Sequence, residues 1–379
     1  MEGFYQNFTL GVLGGGQLGR MLIQSAIDFN IDVHVLDPDK NAPCQHLARQ
    51  FSVGALTNAD TVYHFGKQCD LLTIEIENVN TEALEKLQEE GIPVFPQPKI
   101  IRLIQDKRAQ KQFYKENNIP TAGFVLTESK QDLYALEDML PAVQKLGKAG
   151  YDGRGVQVIR SKAEFDKGFD APGLLERFVD FDKEISVIVA RNKAGEIQHF
   201  PVVELVFHPE HNLVEFLFAP ADISVHIEQE AVKVAKKVIE TLDMIGLLAV
   251  EMFVTKQGEV LVNEIAPRTH NSGHHTIEAN YTSQFEQHLR AILNMPLGAT
   301  TTKIPAAMVN LLGEDGYTGL AKYERLENVL ALEGVKVHLY GKKLTKPFRK
   351  MGHVTIIDED MIRLKEKVRF VKENLKVIA

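Results

Sequence analysis

The first third of the chain alternates short apolar runs with stretches in which apolar residues recur at helical spacing. The apolar runs predict strands at residues 9–13, 32–36, 71–76 and 93–95. The periodic stretches predict helices at residues 18–29 and 81–90, the second of which Gly91 closes. Regular alternation of strand and helix predicts an α/β domain, in which helices cover both faces of a parallel sheet.

The pattern changes at residue 106 and again near residue 300. Between these points both element types occur without regular alternation, which favours an α+β arrangement. From residue 106 to the end of the chain, helices are predicted at residues 107–117, 224–242 and 361–375. Strands are predicted at residues 141–145, 156–159, 174–179, 184–190, 247–255, 259–265, 335–340 and 353–357. We therefore predict domains at residues 1–105, 106–300 and 301–379.

The composition excludes several classes of protein. The 379 residues carry a formal net charge of −8, which argues against non-specific nucleic-acid binding. The two cysteines, Cys44 and Cys69, are too few to build a disulfide framework or a zinc site by themselves. The chain shows neither a basic leader before its first apolar run nor an apolar stretch long enough for a bilayer. We expect a cytoplasmic protein without a membrane or nucleic-acid partner.

The first predicted strand runs into a glycine turn with the spacing G-x-G-x-x-G, formed by Gly14, Gly16 and Gly19. Such a turn lets backbone N–H groups at a helix N-terminus hold a phosphate. Asp37 follows the second strand, where the ribose-binding acid of an NAD site would stand. The motif leaves two alternatives open, a dinucleotide site and a tight strand–helix turn without a ligand.

A second glycine-rich loop, K-L-G-K-A-G-Y-D-G-R-G-V-Q, occupies residues 145–157 between two predicted strands. Because no helix follows it, it is neither a Rossmann turn nor a P-loop. The backbone amides of such a hairpin can fold over phosphates as a mobile lid. Lys145, on the preceding strand, would hold a phosphate as a point charge. The alternative is a surface hairpin with solvated lysines.

The strands predicted before and after residues 257–258 form a hairpin. With the turn at this point, Val254 faces Leu261 and Glu251 faces Glu264. The hairpin therefore predicts two carboxylates directly opposite each other.

Facing carboxylates in a mostly apolar hairpin repel each other, and their burial is unfavourable. A divalent cation removes the conflict, and two carboxylates with phosphate oxygens and water suit Mg²⁺. Asn263 adds an oxygen donor nearby. A register slipped by one residue, which would leave the glutamates in water, is the alternative.

Two polar segments follow the hairpin. Arg268 and His270 would lie beside metal-bound phosphates, where a guanidinium suits bicarbonate or a transferring phosphoryl group. The neighbouring His274 and His275 match no zinc spacing, and we interpret them as structural. A later run of cations is either a pocket for a phosphate monoester or a solvated hairpin face. This run contains Lys342, Lys343, Lys346, Arg349 and Lys350.

The order of these motifs resembles that of the ATP-grasp enzymes and, within them, the family of N5-carboxyaminoimidazole ribonucleotide synthetases. The resemblance depends on E-I-E at residues 75–77, A-G-Y-D-G-R-G at 149–155, V-N-E-I-A-P-R-x-H-N-S-G-H at 262–274 and K-x-x-x-x-x-x-R-K-M-G-H at 342–353. The family more often has glycine where this chain has Ala149. The resemblance implies a Rossmann-like N-terminal domain, an ATP-grasp domain with a lid subdomain at about residues 118–178, and a small β-rich C-terminal domain.

The resemblance also implies roles for individual residues. ATP would contact Lys107, Lys145, Glu176, Arg177, Phe178, Val179, Glu184 and Asn263. Mg²⁺, or alternatively Mn²⁺, would be held by Glu251 and Glu264. The ribonucleotide would contact Gly16, Gln17, Leu18, Glu75, Tyr151, Asn271, Ser272, Lys342, Arg349 and Lys350. The reacting groups would lie against Lys145, Asp152, Arg154, Arg268 and His270.

The function that the resemblance implies is carboxylation of 5-aminoimidazole ribonucleotide with ATP and bicarbonate, through carboxyphosphate, in purine synthesis. It also implies a homodimer. Another ATP-grasp ligase, such as a formate-dependent glycinamide ribonucleotide transformylase, is the nearest alternative. An NAD-dependent dehydrogenase would explain the first glycine turn but would leave the second loop and the glutamate pair without a role. A non-catalytic nucleotide sensor is a further alternative.

Overall fold

A computed structural model describes residues 8–148, 155–208 and 213–379. The N-terminal strands are β1 (Thr9–Leu13), β2 (Asp32–Asp37), β3 (Gln50–Val53) and β4 (Leu71–Ile74). The N-terminal helices are α1 (Gln17–Asp28), α2 (Ala59–Gly66), α3 (Thr81–Glu89) and α4 (Pro98–Ile104). The strands pair in parallel in the order β3-β2-β1-β4, which confirms the predicted parallel sheet.

The predicted strand at residues 93–95 is wrong. Val94 contributes one isolated parallel bridge to Leu72 instead of a ladder. Pro93 and Pro96 flank this contact, and proline has no N–H to donate to a neighbouring strand. The bridge therefore marks the edge of the sheet next to β4.

A second, antiparallel sheet follows α5 (Lys107–Glu116). Its strands are β5 (Phe124–Thr127), β6 (Ala142–Leu146), β7 (Val156–Ile159) and β8 (Gly173–Arg177), in the order β5-β8-β6-β7. Short 3₁₀ helices lie at Lys130–Ala135, Glu137–Met139 and Lys162–Lys167. A small core that includes Leu133, Phe165 and Leu175 holds this unit together. The strands on either side of the second glycine-rich loop, β6 and β7, belong to this unit. Residues 149–154 of that loop lie outside the described ranges.

The largest sheet contains β9 (Phe181–Arg191), β10 (Ile197–His199), β11 (Val203–Phe207), β12 (Val214–Ala219), β13 (Gly246–Thr255), β14 (Val260–Ala266), β15 (Ala306–Leu312), β18 (Val335–Leu339) and β20 (Lys350–Ile357). Shorter pairs are formed by β16 (Gly319–Leu320) with β19 (Leu344–Thr345) and by β17 (Lys322–Glu324) with β21 (Lys376–Ile378). The helices are α6 (Val225–Thr241), α7 (Thr276–Ala279), α8 (Gln284–Ile292), α9 (Leu326–Leu330) and α10 (Met361–Asn374), with a 3₁₀ turn at Asn271–Gly273. Because β12 pairs with β15, strands on both sides of residue 300 share one sheet. The domain limits stay predictions.

The hairpin of β13 and β14 lies where the nine-stranded sheet approaches the four-stranded antiparallel sheet. Buried residues of α6, among them Val234 and Val238, pack in one core with Val250 and Met252 of β13. The segment that leads into β5 of the four-stranded antiparallel sheet approaches β14 at Thr121, whose hydroxyl donates to the Val262 carbonyl at 2.7 Å. The hairpin therefore packs against the core that contains α6 and lies beside the segment leading into the four-stranded antiparallel sheet. Within the described ranges, no helix combines the length and apolarity needed to cross a bilayer.

Candidate active site

The two glutamates of the hairpin face each other, as predicted, but by a different register. Val254 faces Val260 rather than Leu261, so the predicted pairing next to the turn is wrong. The register shifts between Met252 and Glu251, and from there Glu251 faces Glu264. The shift leaves Asn263 as the extra residue of a β-bulge, a feature that occurs often beside functional sites because it redirects side chains.

The electrostatics of this pair differ from one carboxylate to the other. Burial raises the pKa of Glu251 well above its usual range, and the Glu264 and Glu184 carboxylates raise it further. The Lys107 ammonium, 2.8 Å from Oε2 of Glu264, lowers the pKa of Glu264 to about 2. The charge of Glu264 is therefore balanced by Lys107, whereas a charge on Glu251 is repelled by the carboxylates of Glu264 and Glu184.

A divalent cation fits this imbalance, because it would compensate the charge that Lys107 leaves unmatched. Among the described residues, no group of three or more His, Cys, Asp or Glu side chains is arranged to hold a metal ion. Glu251 and Glu264 would therefore supply two ligands, and further oxygens would come from a substrate or water. This donor set is typical of Mg²⁺ in nucleotide enzymes, where the metal keeps several non-protein ligands.

Three further predicted residues lie beside the glutamate pair. Lys145, on β6, places Nζ 3.0 Å from Asn263 Oδ1. Asn263 Nδ2 lies 3.5 Å from Oε1 of Glu184 on β9. Burial, followed by repulsion from Glu264, raises the pKa of Glu184 to about 8. The structure thus gathers Lys145, Asn263 and Glu184 around the two glutamates, although they come from three different strands.

The segment at residues 176–179, which is predicted to contact ATP, begins with a buried ion-pair cluster. Glu176, at the end of β8, contacts Lys111 through Oε1 and lies 2.8 Å from Lys145 Nζ through Oε2. The following Arg177 is exposed, and Phe178 is 44% exposed. Lys111 was not predicted as a site residue, although its position one helical turn after Lys107 on α5 puts both lysines on one face.

The loop after β14 connects the glutamate pair to the N-terminal domain. Arg268 Nη2 lies 2.8 Å from Glu77 Oε1, and the His270 ring lies 3.5 Å from Oε1 of Glu251. Burial lowers the pKa of His270 to about 3, and the positive charges of Arg268 and Lys350 lower it further. The His270 ring is therefore neutral at pH 7 and free of the charge that would oppose a nearby cation.

Asn271 and Ser272 follow in this loop, and both are buried. Asn271 exchanges hydrogen bonds of 2.9 Å with the side chain of Asn310. The Ser272 hydroxyl lies 2.9 Å from the hydroxyl of Ser186 and 2.9 Å from Nδ1 of His270. The Ser272 hydroxyl thus fixes the ring of His270, and the Asn271–Asn310 pair holds the loop in place.

The first glycine turn is closed by a carboxylate of the protein itself. The Leu18 N–H donates to Oε1 of Glu75 at 3.1 Å, and the Gly15 N–H donates to Asp37 at 2.7 Å. A Cβ at Gly16 would collide with the Glu75 carboxylate. Glu75 therefore occupies the helix N-terminus where the pyrophosphate of a dinucleotide would bind, which argues against the NAD alternative.

The pKa of Glu75 is set by its burial and by the charged groups near it. Burial raises its pKa to about 7, and the Arg268 guanidinium and the Leu18 N–H oppose this rise. The positive charge of Lys342 also lowers the pKa of Glu75. Charges of both the Arg268 loop and the late basic run therefore act on Glu75.

The late basic run divides between the site and its own hairpin. Lys342 Nζ donates to the Lys350 carbonyl at 2.7 Å, and the charge of Lys350 acts on both Glu251 and His270. Arg349 Nη1 donates to the Leu344 carbonyl at 2.7 Å, within the hairpin. The predicted Tyr151, Asp152 and Arg154, and also Ala149, lie outside the described residues.

Several buried histidines make stability depend on pH. Burial lowers the pKa values of His275 and His288 to about 4, from an ordinary value of about 6.5. Between these values the folded protein binds fewer protons than the unfolded chain, so stability present above pH 6.5 is lost as the pH falls. We expect the free energy of unfolding, measured with urea, to fall by about 1 kcal/mol per pH unit for each such histidine.

The variant His288→Gln should reduce this slope, and His46→Gln, at an exposed position, should leave it unchanged. Equal slopes in the wild type and His288→Gln would contradict the assignment of His288.

Three family models match consecutive parts of the chain. A ribonucleotide synthetase preATP-grasp domain matches residues 8–105, an ATP-grasp domain matches residues 112–285, and a phosphoribosylaminoimidazole carboxylase C-terminal domain matches residues 306–367. This succession, with the glutamate hairpin in the middle match, defines an ATP-grasp ligase.

Relatives of known name narrow the class. The N5-carboxyaminoimidazole ribonucleotide synthase of Synechococcus elongatus is 40% identical over 92% of this chain and 89% of its own length. The crystal structure of the Thermotoga maritima synthetase has a TM-score of 0.91 at 42% identity, and covers 98% of this chain and 99% of its own. The Aspergillus clavatus synthase in complex with ADP and 5-aminoimidazole ribonucleotide has a TM-score of 0.89 at 33% identity, over 97% of this chain and 98% of its own. This chain belongs to the N5-carboxyaminoimidazole ribonucleotide synthase family.

Proposed function

We propose that this protein uses ATP and bicarbonate to carboxylate the exocyclic amine of 5-aminoimidazole ribonucleotide, as a step of purine biosynthesis. The facing glutamates beside Lys107 and Lys145 support this proposal most strongly, because they combine charges suited to a metal-bound triphosphate. The loop after β14 contacts Glu251 through His270 and Glu77, two residues after Glu75, through Arg268. A phosphate donor and an acceptor would therefore meet at this one loop.

ATP would lie between the four-stranded antiparallel sheet and the nine-stranded sheet. This region is the predicted ATP-grasp domain at residues 106–300, with its lid at about 118–178. Lys107 and Lys145 would neutralise its phosphates, residues 176–179 would line the adenine, and Glu184 would bind the ribose. Glu251 and Glu264 would hold Mg²⁺ or Mn²⁺, which when bound stabilises negative charge on the transferring phosphoryl group. The ring of His270, neutral and held in a fixed orientation, would add no positive charge that repels this metal ion.

Bicarbonate would bind against Arg268, a planar donor suited to an oxyanion. An oxygen of bicarbonate attacks the γ-phosphorus, the bond to ADP breaks, and carboxyphosphate forms. The amine then attacks the carboxyl carbon, or CO₂ released from it, while phosphate leaves and the amine loses a proton. Arg268 and Lys350 stabilise the negative charge at this point. Water must be excluded because the mixed anhydride hydrolyses.

The ribonucleotide would bind at the first glycine turn, among Gly16, Gln17, Leu18 and Glu75. Its 5′-phosphate would meet the late basic run through Lys342, Arg349 and Lys350, in the part predicted as the C-terminal domain. The roles of Tyr151, Asp152 and Arg154, with Asp152 orienting the amine, stay predictions on residues outside the described ranges. Asn271 and Ser272 would act by holding the loop between both substrates.

The proposal is tested by the release of ADP. We expect ADP release to require bicarbonate and 5-aminoimidazole ribonucleotide together, and to stop when either is omitted. Turnover with formate and glycinamide ribonucleotide in their place would favour the transformylase instead. Light scattering tests the proposed homodimer, and fractionation of the source cells tests the proposed cytoplasmic location.

A further inference from the structure

A buried cluster of three charges lies where the adenine is proposed to bind, and the reaction described above uses only two of them. Glu176 contacts Lys111 through Oε1 and Lys145, 2.8 Å away, through Oε2. The side chains are 4%, 3% and 12% exposed, in that order. A single buried carboxylate is thus shared between two ammonium groups.

The two lysines differ in their other contacts. Lys145 Nζ also lies 3.0 Å from Asn263 Oδ1, next to the glutamate pair. Lys111 Nζ donates to the hydroxyl of Thr121, which in turn donates to the Val262 carbonyl at 2.7 Å. Lys145 therefore faces the proposed phosphates, whereas Lys111 is enclosed by protein groups.

Nucleotide binding would change this balance. The phosphates attract the ammonium group of Lys145, which then neutralises Glu176 less completely. Burial by itself raises the pKa of Glu176, and the two ammonium groups together hold it below its usual value. Without Lys111, a buried Glu176 would take up a proton or move with Lys145.

We propose that Lys111 is a positioning residue, which keeps the Glu176 carboxylate ionised and in place to accept a hydrogen bond from the exocyclic amine of adenine. This inference rests on the proposed function, because it takes Glu176 to face the adenine. Hypoxanthine carries a carbonyl oxygen where adenine carries the amine, and an ionised carboxylate repels that oxygen. Lys111 thereby determines the preference for an adenine nucleotide.

The preference is measured by calorimetric titration with ADP and with inosine 5′-diphosphate. We expect the wild-type protein to bind ADP about tenfold or more tightly than the inosine nucleotide, the usual effect of a hydrogen bond to a charged group. The variant Lys111→Met should lose most of this ratio, because a protonated or displaced Glu176 no longer distinguishes an amine from a carbonyl. Lys115→Met, an exposed position on the same helix, should keep the full ratio.

The ratio separates positioning from a general structural effect, since a loosened site would weaken both nucleotides equally. An unchanged ratio in Lys111→Met, or equal binding of both nucleotides by the wild type, would overturn the inference. Should Lys111→Met not fold, Thr121→Val removes the acceptor of Lys111 and should lower the ratio. The titrations contain neither bicarbonate nor aminoimidazole ribonucleotide, so failure of the proposed carboxylation leaves this test valid.

Discussion

Replacing Glu264 by glutamine should abolish turnover while the protein remains folded. The substitution keeps the size of the side chain but removes the charge that faces Glu251 and pairs with Lys107 at 2.8 Å. A metal-bound triphosphate would lose one of two protein carboxylates, at a cost of about 3 kcal/mol or more of charge stabilisation, which lowers the rate more than a hundredfold. The measurement is the steady-state rate of ADP release.

The matched control for this variant is Glu259→Gln on the same hairpin. Glu259 is exposed immediately before β14, and its substitution changes the net charge by the same amount. We expect the control to turn over like the wild type and both variants to melt at similar temperatures. Retained turnover in Glu264→Gln would remove Glu264 from the metal role.

Replacing Glu75 by glutamine should impair use of the ribonucleotide and leave nucleotide binding intact. Glutamine can still accept from the Leu18 N–H, but it loses the negative charge that the positive charges of Arg268 and Lys342 stabilise. Loss of a charged hydrogen-bond partner typically costs about 1.5–3 kcal/mol, so the KM for aminoimidazole ribonucleotide should rise about tenfold to a hundredfold. The ADP affinity should stay constant, because Glu75 belongs to the N-terminal domain.

Glu82→Gln, on the exposed face of α3, is the control for Glu75→Gln. We expect its KM for the ribonucleotide to match the wild type. If Glu75→Gln instead weakened ADP and left the KM for the ribonucleotide unchanged, the first glycine turn would belong to the nucleotide site, as in a dehydrogenase.

Local pattern was sufficient for most of the elements that position the site. The strand–turn–helix at β1 and α1 and the hairpin around residues 257–258 follow from apolar periodicity and glycine placement alone. The facing of Glu251 and Glu264 was also predicted, although the pairing of Val254 was not. A bulge shifts the register between these two points, and nothing in a period-2 pattern reveals an extra residue.

Contacts between distant segments were beyond the reach of the sequence pattern. Lys111 appears as one more charge on a polar helix, and its burial depends on Glu176, which lies 65 positions away. The carboxylate of Glu75 closes a glycine turn 57 positions earlier, so the motif by itself left the dinucleotide alternative open. The first contact forms where α5 packs on β8, and the second forms where the end of β4 lies beside the turn after β1 in the same sheet. Local spacing encodes neither of these contacts.

The most direct test of the facing carboxylates is a crystal structure of the protein soaked with ADP and Mn²⁺. We expect an anomalous peak between Glu251 and Glu264, about 2.1 Å from one oxygen of each, with the β-phosphate of ADP as a further ligand. An ordered ADP whose phosphates and metal lie away from both glutamates would contradict the proposed site.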